Sequence, residues 1–278
     1  MDLNWFQSLL FGLISGLTDI LPVSAQAHKA ILLKLFGLSS EPLILRFMIH
    51  LATFAALYYC SQTQILRITR QLRLARIPKK RRKRPLDTRT LMDFKLLKMM
   101  VIPAILAFLA YQKISVLNHS LNWIALFVLI NAVIVYLPVL MPSGNKDSRS
   151  FSPFEGLLMG IGGATAVLPG ISSVGASTTV LMLRGADRTF AVNITLLLQM
   201  AISLCMAVMD IVSMATFGLG MISFTAIVYC IFAAAAAFAG VFLGIKIMRI
   251  LAVNIGFNMF AFYNLGLALF AFILFLTA

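Results

Sequence analysis

Charged residues are scarce in this sequence, and acidic residues are the scarcest. Charged residues make up 12% of the 278 residues, with 9 Asp and Glu against 23 Lys and Arg, while hydrophobic residues make up 61%. A soluble core of this size could not bury so much apolar surface, so the composition excludes a soluble globular protein. Several apolar runs reach the roughly 20 residues with which a helix crosses a bilayer, whereas membrane strands give alternating segments of about 10 residues. The sequence therefore predicts an all-α polytopic membrane protein.

Cysteine is also rare. Cys60, Cys205 and Cys230 stand alone within apolar runs and form no C-x-x-C pair. Their spacing indicates neither a metal knuckle nor a redox motif. We interpret all three as small core residues.

The basic residues are concentrated in one stretch. The formal net charge is +14, and 13 of the 23 basic residues lie between Arg67 and Lys98. The hydrophobic flanks exclude a soluble nucleic-acid-binding domain, so no nucleic acid partner is expected. Because cytoplasmic loops of membrane proteins carry the excess of Lys and Arg, we predict that loop 62–95 is cytoplasmic and touches anionic lipid headgroups.

Hydrophobic runs divide the chain into two halves. The stretches 5–38 and 154–183 are interrupted by Pro, Gly and polar residues, and we predict that each forms a re-entrant helix pair. Turn formers and charges at 142–153 indicate a linker between a first membrane repeat at 1–141 and a second at 154–278. About six full spans are expected, at 43–60, 96–111, 121–141, 190–216, 222–245 and 251–276.

A short motif occurs once in each half. Ile14–Pro22 and Ile161–Pro169 both read I-x-G-x-T-x-x-L-P, with five identical positions in nine at a shift of 147 residues. Interrupted segments at corresponding positions of two halves are typical of inverted repeats, whose binding site lies at the repeat interface. An odd number of spans in each half would invert one half relative to the other. Two half-helix N-termini would then converge and offer backbone amides to an anion.

The first copy of the motif is accompanied by three groups suited to phosphate chemistry. Asp19 precedes the break at Pro22, and Ser24 and His28 follow it four residues apart, on one face of a helix. A hydroxyl can donate to a phosphoryl oxygen, an imidazole can transfer a proton, and a carboxylate can hold a divalent cation or orient the histidine. The structural alternative is that His28 is an interior histidine with its hydrogen bonds made within the protein, and that Asp19 caps a helix.

The second copy is followed by a segment rich in hydroxyl groups. Such a segment can present backbone amides and hydroxyls to an anion. The alternative is ordinary membrane-helix packing, in which Gly, Ala and Ser let helices approach closely. Pairing with the first copy favours the anion site. Its polar and glycine positions are Gly170, Ser172, Ser173, Gly175, Ser177, Thr178 and Thr179.

Together these motifs resemble those of a known family. Gly-Leu-Thr-acidic followed by Leu-Pro-Val-Ser-x-x-x-His at 16–28, Pro-Gly-x-Ser-x-x-Gly-Ala at 169–176 and Gly-x-x-Arg-x-x-Ala at 185–191 are similar to the bacterial undecaprenyl-diphosphate phosphatase, or bacitracin-resistance, family. The resemblance extends over essentially the whole chain. It implies a multi-pass hydrolase of the bacterial inner membrane. Such an enzyme removes the terminal phosphate of undecaprenyl diphosphate on the outer side and recycles the carrier lipid for peptidoglycan synthesis.

The resemblance also implies roles for individual residues. His28, Ser24 and Asp19 fall on catalytic positions, and Asp19 is also the implied ligand of a divalent cation, Mg²⁺ or Ca²⁺. The expected lipid partner is a polyprenyl diphosphate or phosphate. The substrate-binding residues that follow are Ser15, Thr18, Gly170, Ser172, Ser173, Ser177 and Thr178.

Two charged positions of the family are replaced in this sequence. The family's first glutamate falls on Ser15, and its phosphate-clamping arginine falls on Ser173. Serine has neither the charge nor the bidentate fork of arginine, and losing one such electrostatic contact typically costs about 100- to 1000-fold in rate. The candidates for a replacement charge are Lys34, Arg184 and Arg188.

Two other functions stay open on the sequence. A homologue that has lost hydrolysis would keep the pocket and bind a polyprenyl phosphate lipid or flip it between leaflets. An unrelated ion or small-solute transporter built on inverted repeats is the third hypothesis. The sequence does not predict the oligomeric state.

Overall fold

The computed structural model describes residues 3–38, 40–82, 84–109, 111, 120–218 and 223–277. Within these residues the chain forms eleven α-helices and no strand, which confirms the predicted all-α class. The helices are α1 (Trp5–Thr18), α2 (Ala25–Leu35), α3 (Leu43–Cys60), α4 (Gln62–Ala75), α5 (Thr88–Phe108), α6 (Leu121–Tyr136), α7 (Pro153–Ala164), α8 (Ser173–Leu183), α9 (Arg188–Phe217), α10 (Phe224–Met248) and α11 (Asn258–Leu276).

Five of the described helices are long and apolar enough to cross a membrane, as expected of a polytopic membrane protein. They are α3, α6, α9, α10 and α11, counting the short extensions of α6 to Leu140 and of α10 to Val253. The predicted sixth span corresponds to α5, a 21-residue helix that carries Asp93, Lys95 and Lys98 ahead of its apolar stretch. The connections 112–119 and 219–222 lie outside the described residues. Large apolar side chains face outward, as on α11 at Phe262, Leu265, Leu269 and Leu276.

Two pairs of short helices lie where the sequence predicted re-entrant pairs. Helices α1 and α2 have 14 and 11 residues, and α7 and α8 have 12 and 11. At 1.5 Å per residue, helices of this size reach about 16–21 Å, less than the roughly 30 Å of a bilayer core. Each pair is joined by a turn, after which Ser24 and Ser172 act as the N-caps of α2 and α8. Their re-entry into the membrane stays a prediction.

Helix packing brings the two halves of the chain into contact. Helix α1 packs on α10 and α7 packs on α5, so each short pair is held by a long helix. A Cβ atom added at Gly12 would lie 2.0 Å from the Ala233 carbonyl oxygen, and one at Gly16 would lie 2.1 Å from that of Ala237. The motif glycine Gly16 therefore allows two helix backbones to touch, as small residues do in membranes.

Candidate active site

The turns that follow the two motif copies meet in the interior. The Ser172 hydroxyl donates to the Leu21 carbonyl oxygen at 2.9 Å, and the Gln26 side-chain amide donates to the Ala166 carbonyl oxygen at 3.3 Å. The first bond joins residues that are 151 positions apart in the sequence, and the second joins residues that are 140 positions apart. The structure brings together the two segments that the sequence singled out.

Two buried asparagines tie these turns to long helices. The Asn131 side chain on α6 donates to the Asn264 side chain on α11 at 3.0 Å, and Asn264 donates to the Pro22 carbonyl oxygen at 2.8 Å. Asn131 also accepts from the Ser172 backbone amide at 3.0 Å. Sequence reasoning missed this pair, although a lone asparagine within an apolar span is itself a signal of function or buried bonding.

A cavity of about 50 Å³ lies between the turns and the helices α2, α3 and α9. Much of its wall is polar, although it lies among membrane helices. Polar groups at this depth are costly, so their convergence indicates a site. The polar lining residues are Thr18, Asp19, Gln26, Lys29, His50, Ser172, Ser173, Gln199 and Ser203.

The second copy contributes two of its predicted residues to this wall. Ser172 and Ser173 line the cavity, and the Ser173 hydroxyl donates to the Gln199 side-chain oxygen at 2.8 Å. Ser177 and Thr178 are buried within α8 and do not line it. Gly170 has φ +91° and lies against the backbone of α6, where a Cβ would meet the Ile124 oxygen at 2.7 Å. The structure places these last three away from the cavity.

The first copy contributes the two residues next to its turn. Thr18 and Asp19 line the cavity, whereas Ser15 lies buried one helical turn earlier and does not. The Ser24 hydroxyl accepts from the Ala27 backbone amide at 3.1 Å and caps α2. Of the implied catalytic residues, Asp19 alone is in the cavity wall.

His28 lies on another face of α2. Its Nδ1 is 2.6 Å from the Ser24 carbonyl oxygen, and its Nε2 is 2.6 Å from the Tyr263 hydroxyl of α11. The rings of His28 and Tyr263 are stacked with centroids 5.7 Å apart. The predicted closeness of Ser24 and His28 is present, but the cavity face of α2 is formed by Gln26 and Lys29. One residue rotates a helix by about 100°, which separates positions 28 and 29.

The three candidates for a replacement charge do not line the cavity. Lys34 is exposed at the end of α2, Arg188 begins α9, and Arg184 pairs with Glu155 at 2.5 Å. The Ser152 backbone amide and the Arg184 guanidinium lower the pKa of Glu155 to about 2. Lys29 is the lysine in the wall, 8% exposed and 3.5 Å from Glu41.

His50 is a cavity residue that the sequence left unassigned. Its Nδ1 lies 2.6 Å from Asp210 Oδ2, and Arg46 Nε lies 2.5 Å from Asp210 Oδ1. Asp210, on α9, is 1% exposed, so this carboxylate is fully enclosed between two basic side chains of α3. The pair joins the helices that flank the cavity.

Comparison with known proteins identifies the family. The model of the bacitracin resistance protein BacA matches residues 8–270. The chain belongs to the BacA family. A relative from Carboxydothermus hydrogenoformans, named undecaprenyl-diphosphatase, is 28% identical over an alignment that covers 76% of this chain and 75% of the relative's length. A relative from Thermosipho melanesiensis with the same name is 26% identical over an alignment that covers 96% of this chain and 98% of the relative's length.

The implied cation site of this BacA family member can be tested against its donor groups. Divalent Mg²⁺ and Ca²⁺ take several oxygen ligands, mostly carboxylates. Asp19 instead interacts electrostatically with Lys29 and His50 as well as with Glu41. Over the part of the chain that the structure describes, no group of three His, Cys, Asp or Glu residues could hold a metal ion. This donor set does not fit a divalent cation, and we assign no step to one.

Proposed function

We propose that this BacA family protein removes the terminal phosphate of a polyprenyl diphosphate, with undecaprenyl diphosphate as the first substrate to test. The observation that carries the proposal is the cavity wall, where the Lys29 ammonium lies with the hydroxyls of Thr18, Ser172 and Ser173. Cationic and hydroxyl donors are the groups that bind phosphoryl oxygens. The name shared by the relatives supports the same substrate.

In this proposal each predicted residue has a role that matches its place. Lys29 supplies the positive charge that the family arginine would give at Ser173. The three hydroxyls donate to carbonyl oxygens of the protein in the structure and exchange these for diphosphate oxygens when the lipid binds. Asp19 balances the charge of Lys29 and orients water. Ser24 and His28 hold the N-terminal end of α2, the helix that carries Lys29. The remaining predicted residues support the chain turns after α1 and α7, and they are Ser15, Gly170, Ser177 and Thr178.

The proposed orientation follows from the basic loop. With 62–95 in the cytoplasm of a bacterial inner membrane, α3 enters from the outer side at Leu43 and ends in the cytoplasm at Cys60. Arg46 and His50 then lie in the outer half, and the cavity opens outward. Helix α4 exposes Arg67, Arg70 and Arg73, a row suited to anionic lipid headgroups.

A second candidate is binding or flipping of a polyprenyl phosphate without hydrolysis. The observation that favours it is the presence of Ser15 and Ser173 where the family has an acid and an arginine. The two inverted halves proposed from the motif would suit alternating access.

The decisive experiment measures inorganic phosphate released from undecaprenyl diphosphate by purified protein in detergent. We expect release well above that in micelles without protein. Binding of the lipid without any release would contradict the hydrolase. Faster movement of a polyprenyl phosphate across protein-containing vesicles than across empty ones would then support the second candidate.

A further inference from the structure

We propose that His50, oriented by Asp210, is the general base that activates water for phosphate hydrolysis in the cavity. The inference rests on the proposed function and names a group that the sequence motifs do not contain. His50 comes from α3, outside both motif copies, yet its ring lines the same cavity as Asp19, Lys29 and Ser173.

The hydrogen bond to Asp210 fixes which ring nitrogen is free. A carboxylate only accepts, so the proton of a neutral His50 ring is on Nδ1, 2.6 Å from Asp210 Oδ2. The lone pair is therefore on Nε2. That nitrogen makes no hydrogen bond to another residue that the structure describes. This is the tautomer in which a histidine can accept a proton from water.

Arg46 holds Asp210 in the form that this role requires. Arg46 and His50 are four residues apart on α3, so both reach across to α9 from one face. Each occupies one oxygen of the carboxylate, at 2.5 and 2.6 Å. Burying a charge is costly unless it is paired, and these two bonds satisfy Asp210. Asp210 is thus a positioning residue that also stabilises the imidazolium, as the aspartate of a serine protease triad does.

The charged side chains near His50 include two cations and three carboxylates. Asp210, which is bonded to the ring, is the carboxylate placed to stabilise the imidazolium that forms on proton transfer. Tyr111 also interacts electrostatically with Arg46 and Asp210. These charged groups come from each element packed around the cavity. Asp19 follows α1, Lys29 is on α2, Glu41 precedes α3, Arg46 is on α3, and Asp210 is on α9.

The proposed step transfers one proton and exchanges one bond. The water oxygen forms a bond to the terminal phosphorus while the bond from that phosphorus to the bridging oxygen breaks. The bridging oxygen leaves with the electron pair on the lipid monophosphate. The water proton passes to His50 Nε2 and then to the released phosphate or to bulk water, which restores the neutral ring.

His28 is less suited to this step. One of its ring nitrogens is bonded to the Ser24 carbonyl oxygen and the other contacts the Tyr263 hydroxyl. Both are occupied, and the ring is absent from the cavity wall. Substitution of His50 should therefore remove the pH-dependent rise in phosphate release, whereas substitution of His28 should leave that rise in place.

The test compares His50→Gln, Asp210→Asn and His28→Gln with the wild type for phosphate release from undecaprenyl diphosphate. General-base catalysis contributes about 10²- to 10⁴-fold, so His50→Gln should lower kcat by that factor and change KM far less. It should also abolish the rise of the rate with pH, because only an unprotonated ring accepts the water proton. Asp210→Asn should lower kcat by up to about 10⁴-fold and move the rise to lower pH, because the imidazolium loses its anion. The matched carboxyl-to-amide control is Glu155→Gln, which should keep the wild-type rate and profile.

The outcomes separate the inference from the proposed function. Phosphate release by the wild type with an unchanged kcat and pH profile in His50→Gln would overturn the inference and leave the hydrolase intact. Loss of the pH-dependent rise in His28→Gln alone would assign the base to His28 instead. If the wild type releases no phosphate, both the assignment of His50 as the base and the proposed hydrolase function are wrong. Size-exclusion and melting profiles check folding, and if His50→Gln does not fold, the pH profile of Asp210→Asn decides.

Discussion

Asn131 and Asn264 bond to each other and to the same proline turn. Asn131 donates to Asn264 at 3.0 Å, and both side-chain amides reach the Pro22 carbonyl oxygen, at 3.4 and 2.8 Å. Both side chains are fully buried. The turn that carries Asp19 into the cavity is therefore held by helices from opposite halves of the sequence.

The asparagine pair predicts a coupled effect on stability. Asn264→Leu leaves the Pro22 carbonyl and Asn131 with fewer partners, and we expect a loss of about 1–3 kcal/mol in the free energy of unfolding. Thermal unfolding in detergent measures it. Because the two residues share bonds, the double variant with Asn131→Leu should cost less than the sum of the single variants. Strict additivity would show that the pair does not act as a unit.

Close packing of α1 on α10 predicts that Gly16 does not tolerate a side chain. In Gly16→Ala the new methyl group would meet the Ala237 backbone oxygen at 2.1 Å, so the helices must separate. Overpacking of this kind typically costs about 1–3 kcal/mol. The control is Gly266→Ala on α11, where no described residue beyond the adjoining turns of that helix has an atom within 4 Å of the new carbon. Equal melting temperatures for the two variants would contradict the prediction.

The bonds of Glu155 predict a dependence of stability on pH. Its pKa is about 2, below the usual value of 4.5 for a glutamate, so the ionised carboxylate stabilises the folded state above pH 4.5. That contribution is lost as the pH falls through 4.5 towards 2. Glu155→Gln should lower stability by up to about 1 kcal/mol at neutral pH, because glutamine can keep the capping box but loses the ion pair with Arg184. The melting temperatures of variant and wild type should converge in acid, and a constant difference would argue against this account.

Lys29 is expected to be the main cation for the phosphate group. Lys29→Met keeps the length of the chain and removes its charge, and a hydrogen bond to a charged group is worth about 1.5–3 kcal/mol. We therefore expect the dissociation constant for a polyprenyl phosphate to rise about 10- to 100-fold. Lys246→Met, an exposed lysine near the end of α10, is the matched control. Binding as tight in Lys29→Met as in this control would exclude Lys29 from the site.

The sequence predicts the fold class and the meeting of the two motif copies because both depend on local patterns. Apolar runs indicate membrane helices, and Gly and Pro interrupt them at the two short pairs. The family follows from the motifs and is confirmed by the match over residues 8–270. The division into repeats at 1–141 and 154–278 stays a prediction.

The composition of the cavity was harder to predict because it depends on which face each helix turns inward. His28 and Lys29 are neighbours, yet Lys29 lines the cavity and His28 contacts Tyr263. His50 and Asp210 are 160 residues apart, and only the packing of α3 on α9 joins them. A charged residue in each of two apolar helices was the available signal, but it does not identify its partner.

The packing of α1 on α10 also bears on the order in which the protein can be assembled. The ribosome makes α1 first, but the surface that receives Gly12 and Gly16 belongs to a helix near the other end of the chain. During synthesis the first helix pair must wait at the translocon or in the membrane without its main partner. The part of the cavity wall that follows α1, at Thr18 and Asp19, therefore gains its final support only after α10 has been made.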